Sequence, residues 1–233
     1  MLSYENRPAM GQNSSTTSTV LPLSTSPPSS KKTTNGTSAD KSQSASNHSH
    51  IWLVTGPAGC GKSTVAQYLA KAMKLPFIEG DEFHPPANVE KMSKGIPLTD
   101  ADRWDWLTTL REEALRQLVD SGAQGVVLTC SALKRKYRDV IRVAPYYSHN
   151  VRLHFVYLHA RQEVLIERVG ARKGHFMGAN MVKSQFGILE APTPDETDVI
   201  SVDVSGTEEE VERDALAAIR QAVEVKSAED LED

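Results

Sequence analysis

The stretch IWLVTGPAGCGKST, residues 51–64, decides the fold. Its first five residues are apolar or β-branched and have the length of a buried strand. A glycine-rich loop with the spacing G-x-x-x-x-G-K-S follows, and the next residues, VAQYLA at 65–70, have the apolar spacing of a helix. Strand, loop and helix in this order form the context that a phosphate-binding P-loop requires, so the stretch predicts a nucleotide-binding α/β domain.

The residue types in the loop indicate how a nucleotide and its metal are held. Gly56, Gly59 and Gly61 allow positive φ angles, which turn backbone N–H groups toward an anion. Lys62 can lie between the β- and γ-phosphates, and the Ser63 hydroxyl can bind the Mg²⁺ that bridges them. The sequence thus predicts ATP and Mg²⁺ as cofactors. The predicted ATP-binding residues are Gly56, Pro57, Ala58, Gly59, Cys60, Gly61, Lys62, Ser63 and Thr64.

Composition divides the 233-residue chain into three parts. Residues 1–48 are rich in Ser, Thr, Asn and Pro, with too few bulky apolar residues to offset the entropy of ordering, so we predict a disordered tail. Residues 49–225 suit one kinase domain, and residues 226–233 form an acidic C-terminal end. The chain contains no secretory h-region and no apolar run of about 18 residues, so we expect a cytoplasmic protein without a membrane partner.

Charge and cysteine usage narrow the function classes further. The formal net charge of −4 argues against a nucleic-acid partner. The two cysteines, Cys60 and Cys130, do not form a framework of spaced pairs and are interpreted as reduced thiols. Because a helix N-terminus lowers the pKa of a thiol, we hypothesise that Cys60 reacts with thiol reagents and that ATP protects it.

Two carboxylates end the second predicted strand, LPFIEGD at 75–81. Alternate residues leave a strand on the same side, so Glu79 and Asp81 should face the crevice that contains the P-loop. One carboxylate can orient water on Mg²⁺, and the other can accept the proton of an attacking hydroxyl. Alternatively, they cap the next helix or pair with nearby lysines.

An insertion that could bind the acceptor lies between the second and third strands. Thr99, with an acid three residues later, predicts the cap of a helix over about 103–120. Arg103 fits either an ion pair with Asp100 or Asp105 or a substrate carboxylate, and spacing alone does not decide between them. The predicted apolar stripe consists of Leu107, Leu110, Ala114, Leu118 and Val119.

The third strand, GVVLTCS at 125–131, lacks the acid that usually ends a Walker B strand, which disfavours ATPase motors. Ser131 can cap the helix that follows over 133–141. No N-K-x-D motif follows a strand, which disfavours GTPase switches. The insertion between the second and third strands is where a small-molecule kinase would carry its acceptor site.

The remaining segments complete an alternating pattern. A fourth strand at 152–158 leads into a helix at 163–169, and a basic, glycine-flanked segment at 170–178 has the composition of a moving lid. After a helix at 181–190, the last strand at 198–204 precedes a helix that is capped at Thr207. We predict a P-loop NTPase fold of α/β class, in which helices cover both faces of a five-stranded parallel sheet, with an acceptor-binding insertion and a lid.

Over residues 51–223 the sequence resembles the P-loop gluconokinases, relatives of the shikimate and adenylate kinases. The segments that carry the resemblance are GDEFHP at 80–85 with NVEKM at 88–92, GIPLTDADR at 95–103, CSALK at 130–134 with YR at 137–138, and ARKGHF at 171–176. The resemblance implies ATP-dependent phosphorylation of the 6-hydroxyl of D-gluconate to 6-phospho-D-gluconate, which feeds the pentose phosphate pathway. It also implies a possible homodimer.

The resemblance also implies roles for single residues. The implied catalytic residues are Lys62, Asp81, Arg168 and Arg172. The implied substrate-binding residues are Asp81, His84, Arg103, Ser131, Lys134 and His175. His84 either bonds a sugar hydroxyl or fixes the turn before Pro85, and the loop after Asp203 borders adenine. Two alternatives stay open: a kinase of another small hydroxy acid such as shikimate, and a catalytically silent nucleotide-binding regulator.

Overall fold

The computed structural model describes residues 48–171 and 179–229. Most of the tail predicted over 1–48, the greater part of the predicted lid and the last four residues therefore lie outside the described residues. The boundary predicted at residue 225 falls within the last helix. Within the described ranges, no helix is both long and apolar enough to cross a membrane.

The described strands form one five-stranded parallel sheet with the order β2-β3-β1-β4-β5. The strands are β1 (Ser49–Thr55), β2 (Phe77–Ile78), β3 (Gly125–Thr129), β4 (Val151–His159) and β5 (Val199–Asp203). The helices are α1 (Lys62–Met73), α2 (Pro86–Ser93), α3 (Asp100–Ser121), α4 (Arg135–Arg142), α5 (Ala144–Tyr147), α6 (Gln162–Ala171), α7 (Ala179–Ile188) and α8 (Glu208–Glu229). The predicted fold class and its five strands are confirmed.

The central strand β1 contributes to a hydrophobic core on each face of the sheet. Trp52 and Val54 pack with the α1 and α8 side, whereas Ile51 and Leu53 pack with the α3 and α4 side. Successive side chains of a strand point to opposite faces, which explains the alternation. Because β1 pairs with β3 on one side and β4 on the other, the strand order reverses beside it, and ligands bind at the carboxyl ends of the strands around such a point.

Helix α3 begins three residues earlier than predicted, at Asp100. Thr99 and Asp102 form a capping box, in which each side chain bonds the backbone N–H of the other residue. Since helical conformation starts directly after the N-cap, the acid of the box lies inside the helix rather than before it. The predicted stripe is wrong at Val119, which is 81% exposed, while its other four members are buried.

Two further boundaries differ from the prediction around the third strand. β3 ends at Thr129, and the residue that precedes α4 is Lys134, which makes no capping hydrogen bond through its side chain. The prediction that Ser131 caps this helix is therefore wrong. The final helix agrees with the sequence, since Thr207 and Glu210 exchange the bonds of a capping box at its start.

Candidate active site

A cavity of about 390 Å³ lies where β1 and β3 end. The P-loop forms one wall, and the insertion between β2 and β3 forms the other. Predicted site residues that line it are Ala58, Gly59, Gly61, Lys62, Ser63, Thr64, Asp81, His84, Arg103 and Ser131. Glu79, which the sequence also placed at this edge, is a further lining residue. The structure thus brings together most of the residues that were chosen from motifs.

The P-loop has the backbone that its glycines predicted. The φ angles of Gly56, Gly59 and Gly61 are +143°, +83° and +88°, a region that side chains with a Cβ rarely adopt. Lys62 Nζ donates to the carbonyl oxygens of Gly56 and Pro57 at 3.1 and 3.2 Å. The ammonium therefore lies over the loop that it is expected to share with the phosphates.

Helix α7 closes the cavity above the P-loop, and the sequence did not indicate this. Met181, Ser184, Gln185 and Ile188 line the cavity, at the spacing of one helical face. Gln185 Oε1 accepts a hydrogen bond of 2.6 Å from the backbone N–H of Ala58. An amide oxygen thus lies against an N–H group of the loop that is expected to bind phosphate. The helical spacing was visible in the sequence, but its orientation toward the loop was not.

The surroundings of Cys60 do not favour the reactive thiol that we hypothesised. Its side chain is buried beneath the loop, and desolvation raises the pKa of the thiol, although Lys62 acts in the opposite direction. Burial likewise raises the pKa of Cys130, to about 12. The expectation of a depressed pKa at Cys60 is wrong because desolvation outweighs the nearby positive charge.

The chain between β2 and α2 differs from the predicted strand. Asp81 lies in a 3₁₀ turn, Gly80–Phe83, so it does not leave a strand on the same side as Glu79. The close approach of this turn to β3 requires glycine at position 80, because a Cβ there would lie 1.9 Å from the carbonyl oxygen of Thr129. Thr129 also accepts from Gly80 N–H at 2.9 Å and donates to Glu79. The hydrogen bond from Thr129 therefore fixes the Glu79 carboxylate, whereas the Asp81 side chain is 67% exposed.

His84 faces the cavity and is enclosed. Its ring stacks on Trp106 with centroids 4.0 Å apart, and the side chain is 4% exposed. Trp106 is fixed in turn, since its Nε1–H donates to the carbonyl of Gly80 at 2.8 Å. Burial lowers the pKa of His84, and Arg103 adds to this, while Asp81, 3.9 Å from Nε2, acts in the opposite direction. The surroundings thus favour the neutral form of the ring.

Arg103 makes no ion pair within the described part of the chain, so neither predicted pairing with Asp100 or Asp105 is found. Its guanidinium donates to the carbonyls of Leu98 and Thr99, the second at 3.0 Å, and lies 5.3 Å from the centroid of the Tyr137 ring. Carbonyl bonds leave the positive charge without a carboxylate partner. The cavity therefore has a cation that can receive an anionic group.

Lys134 does not line this cavity. Its Nζ donates to Asp100 at 3.1 Å, and Lys136 and Tyr137 donate to the same carboxylate. These bonds, with that of Lys136 the largest contribution, hold the pKa of Asp100 well below its usual range. Burial, followed by the bond to Asp100, raises the pKa of Tyr137 to about 12. Lys134 thus joins α4 to the start of α3.

Ser131 lines the cavity in a loop that buried polar groups support. Thr55 Oγ1 donates to the carbonyl of Ser131 at 2.6 Å, and Ala132 has a φ of +33°. Arg138 donates to the carbonyl of Ala132 at 3.3 Å and forms a two-pronged pair with Glu196 at 2.6 and 2.7 Å. The sequence did not indicate this network, because its partners come from distant segments.

Arg168 does not line the cavity. Its Nη2 donates to the carbonyl of Gly206 at 2.8 Å, which joins α6 to the loop between β5 and α8. This is the loop after Asp203 that the resemblance placed beside adenine. Arg172 and His175 lie outside the described residues.

The donor set suits a hard divalent cation. The hydroxyl of Ser63 and the carboxylates of Glu79 and Asp81 face the same cavity, and oxygen ligands of this kind are those that Mg²⁺ prefers. Among the residues that the structure describes, no group of three His, Cys, Asp or Glu could hold a metal by itself. A magnesium ion here would therefore take further ligands from phosphate and water.

Comparisons with known proteins identify the family of this chain. The family model of shikimate kinase matches residues 58–220. A probable gluconokinase of Schizosaccharomyces pombe is 46% identical over 176 residues, which cover 76% of this chain and 91% of that protein. The thermoresistant gluconokinase of Escherichia coli is 39% identical over 179 residues, which cover 76% of this chain and 98% of that protein.

A solved structure shares the fold. The crystal structure of a gluconokinase from Sinorhizobium meliloti 1021 superposes with a TM-score of 0.67 at 41% identity, covering 79% of this chain and 98% of that one. The chain belongs to the gluconokinase family, whose fold is that of the P-loop kinases, and it is a small-molecule kinase.

Proposed function

We propose that this protein is a gluconokinase, which transfers the γ-phosphoryl group of ATP to the 6-hydroxyl of D-gluconate. The observation that carries the proposal is a single cavity with a P-loop on one wall and both Asp81 and an unpaired Arg103 on the other. The products are ADP and 6-phospho-D-gluconate, and the pentose phosphate pathway would consume the latter. The names of the relatives support gluconate as the acceptor.

The chemistry of the acceptor matches the groups on its wall. Gluconate has a carboxylate at one end and a primary hydroxyl at the other, so a site for it needs a cation and a base. Arg103 supplies a fork of N–H donors for the carboxylate. Asp81 supplies an exposed carboxylate that can accept a proton, and His84 can bond a hydroxyl.

The phosphoryl transfer needs little covalent chemistry from the protein. The 6-oxygen of gluconate forms a bond to the γ-phosphorus, while the bond from that phosphorus to the leaving oxygen of ADP breaks. Asp81 takes the proton of the hydroxyl, and Lys62 neutralises charge that develops on the phosphoryl oxygens. Ser63, with Glu79 or Asp81, would hold Mg²⁺, which when bound neutralises phosphate charge.

Arg168 and Arg172 remain part of the proposal as residues that contact phosphate from the lid. For Arg168, this role requires the bond to Gly206 to open when the lid closes. Lid closure would exclude water and complete the positive charge around the γ-phosphate. His175 and Lys134 stay proposed substrate contacts, with the ion pair of Lys134 to Asp100 as a competing partner.

The test of the proposal is ADP release from Mg-ATP with gluconate, shikimate, an epimeric aldonate or no acceptor. We expect release that depends on gluconate, and a kcat about a thousandfold lower in Asp81→Asn, the size typical of a lost general base. Glu82→Gln is the matched control, because Glu82 is the exposed acid beside it in the same turn and does not line the cavity. Equal release without acceptor would refute the proposal, and release that depends on shikimate would favour the alternative acceptor.

A cytoplasmic location, which is the expectation from the sequence, and a homodimer, which rests on the family resemblance, belong to the same proposal. Light scattering coupled to size-exclusion chromatography measures the mass against the 25.6 kDa of one chain. A mass twice that value would support the dimer. Cell fractionation with an antibody to the native protein tests the location.

A further inference from the structure

Asn88 is a buried polar residue next to the acceptor wall, and no role has been assigned to it so far. It lies on α2 and is 3% exposed. Its Nδ2 is 2.6 Å from the backbone carbonyl oxygen of Asp102 on α3. Two carbonyl oxygens at that distance would repel each other, so the nitrogen of the amide, and not its oxygen, must face Asp102.

The same nitrogen also lies 3.5 Å from His84 Nδ1. An amide nitrogen donates hydrogen bonds and does not accept them, so Nδ1 must be the acceptor in this contact. A neutral imidazole carries one proton, which then resides on Nε2. The buried amide therefore selects one of the two tautomers of His84.

The enclosure of the ring, whose side chain is 4% exposed, holds it against this contact. It is stacked on Trp106, and the charged groups that face it are Asp81 from the 3₁₀ turn and Arg103 from α3. Protonation of Nδ1 would place an N–H group against the NH₂ of Asn88. Burial and this opposition of donors act in the same direction, since both disfavour the imidazolium.

We propose that Asn88 is a positioning residue that holds His84 in the Nε2–H tautomer, so that the ring presents a hydrogen-bond donor beside Asp81. This inference rests on the proposed function, because its consequence concerns the acceptor hydroxyl. His84 Nε2 and Asp81 Oδ1 are 3.9 Å apart, too far for a direct hydrogen bond.

A hydroxyl has one proton to donate and lone pairs with which to accept. Beside a donor on His84 and an acceptor on Asp81, the acceptor hydroxyl accepts from Nε2–H and directs its own proton to Asp81. The opposite tautomer would offer a second acceptor, and the hydroxyl proton could then point to the ring instead. Asn88 thus decides which group receives the proton.

The first experiment reads the tautomer in the free protein, without any substrate. Two-bond ¹H–¹⁵N correlation spectra distinguish a protonated from an unprotonated ring nitrogen. The spectrum of His84→Gln identifies the signals of this ring among the seven histidines. We expect a protonated Nε2 and an unprotonated Nδ1 at pH 7. A protonated Nδ1 would overturn the inference, even if the protein phosphorylates gluconate.

The second experiment compares Asn88→Ala with a matched control, Lys91→Met. Lys91 lies on the same helix and contacts the same residue, since its Nζ donates to Asp102 Oδ1 at 2.6 Å, but it makes no contact with His84 in the described structure. Both variants weaken the connection between α2 and α3. Only Asn88→Ala should change the tautomer of the His84 ring.

In Asn88→Ala the contact that selects the tautomer is lost, so we expect the two-bond spectrum at pH 8 to contain signals of both the Nδ1–H and the Nε2–H form of His84. Lys91→Met should keep the wild-type spectrum. Identical spectra for the two variants would show that Asn88 acts only as a structural bond and would overturn the inference. A lack of gluconate phosphorylation in the wild type would instead reject the proposed function, while the spectra would still test the tautomer.

Discussion

The two walls of the cavity are built in different ways. On the nucleotide wall, residues 56–64 obtain their shape from backbone angles, with positive φ at three glycines. On the acceptor wall, side chains fix the shape across the sequence: Trp106 bonds Gly80, which is 26 residues away, and Thr129 bonds Gly80 from 49 residues away. The first wall is therefore specified by a short motif, whereas the second exists only once the sheet and α3 have come together.

The largest expected effect separates the two walls by their functions. Lys62→Met should lower kcat about a thousandfold and leave the KM for gluconate within a fewfold, because charge stabilisation in the transition state is lost. Arg103→Met should raise the KM for gluconate about thirtyfold, the size of a lost charged hydrogen bond, with little change in the KM for ATP. Steady-state kinetics with each substrate varied in turn measures both. Equal changes in the two KM values would mean that the walls do not act separately.

The second effect concerns two glycines that serve different purposes. A Cβ at Gly61 would meet nothing within 4 Å, so Gly61→Ala carries only the strain of its φ of +88°, about 1 kcal/mol. A Cβ at Gly80 would lie 1.9 Å from the Thr129 carbonyl, so Gly80→Ala must move the end of β3 and should cost about 3 kcal/mol. Urea denaturation of both variants measures the difference. Equal losses of unfolding free energy would contradict the distinction between a local and a long-range requirement.

The third effect concerns the buried ion pair of Arg138 with Glu196, which lies behind the acceptor wall. Its contribution to the free energy of unfolding should depend on pH. The bond from Arg138 lowers the pKa of Glu196 to about 2, against an ordinary value of about 4.3. Since the native pKa is depressed, the pair stabilises the protein fully above pH 4.3, and this contribution is lost as the pH falls toward 2. We expect a loss on the order of 3 kcal/mol over this range.

Denaturation of Glu196→Gln at several pH values supplies the comparison for this third effect. Its curve should be flatter than that of the wild type between pH 4.3 and 2. Asp195→Asn is the control, because Asp195 pairs with Arg135 at the surface, where solvent screens the interaction. A wild-type slope in Glu196→Gln would assign the acid sensitivity to other groups.

The difference between the walls also explains which features of the fold and the site could be predicted from the sequence. The P-loop, the parallel sheet and the presence of Asp81, His84 and Arg103 at the cavity follow from motifs, from strand patterns and from the family resemblance. Local patterns carry such information, because strand ends in a parallel sheet converge at one edge. The prediction for Asp81 reached the correct cavity with the wrong geometry, since a 3₁₀ turn replaced the strand.

What the sequence did not reveal depends on partners that are distant along the chain. The ion pair of Lys134 with Asp100 requires α4 to lie beside α3, and the bond of Arg168 to Gly206 requires α6 to meet the loop after β5. Asn88 looked like an ordinary polar residue of a short helix until Asp102 and His84 were found against it. Periodicity and spacing describe single elements and contain no signal for such contacts.

The central position of β1 has a consequence for how the chain acquires this site during synthesis. The partners of its residue His50 are Gly125 in β3 and Arg152 in β4. At about 5–20 residues per second, a ribosome needs roughly 5–20 s to make the hundred residues that separate β1 from β4. The P-loop strand is synthesised long before either neighbouring strand, so its apolar side chains cannot yet be buried in a sheet. Pairing over such distances places the domain among slowly folding topologies, and this interval is when the nascent chain is most exposed to aggregation.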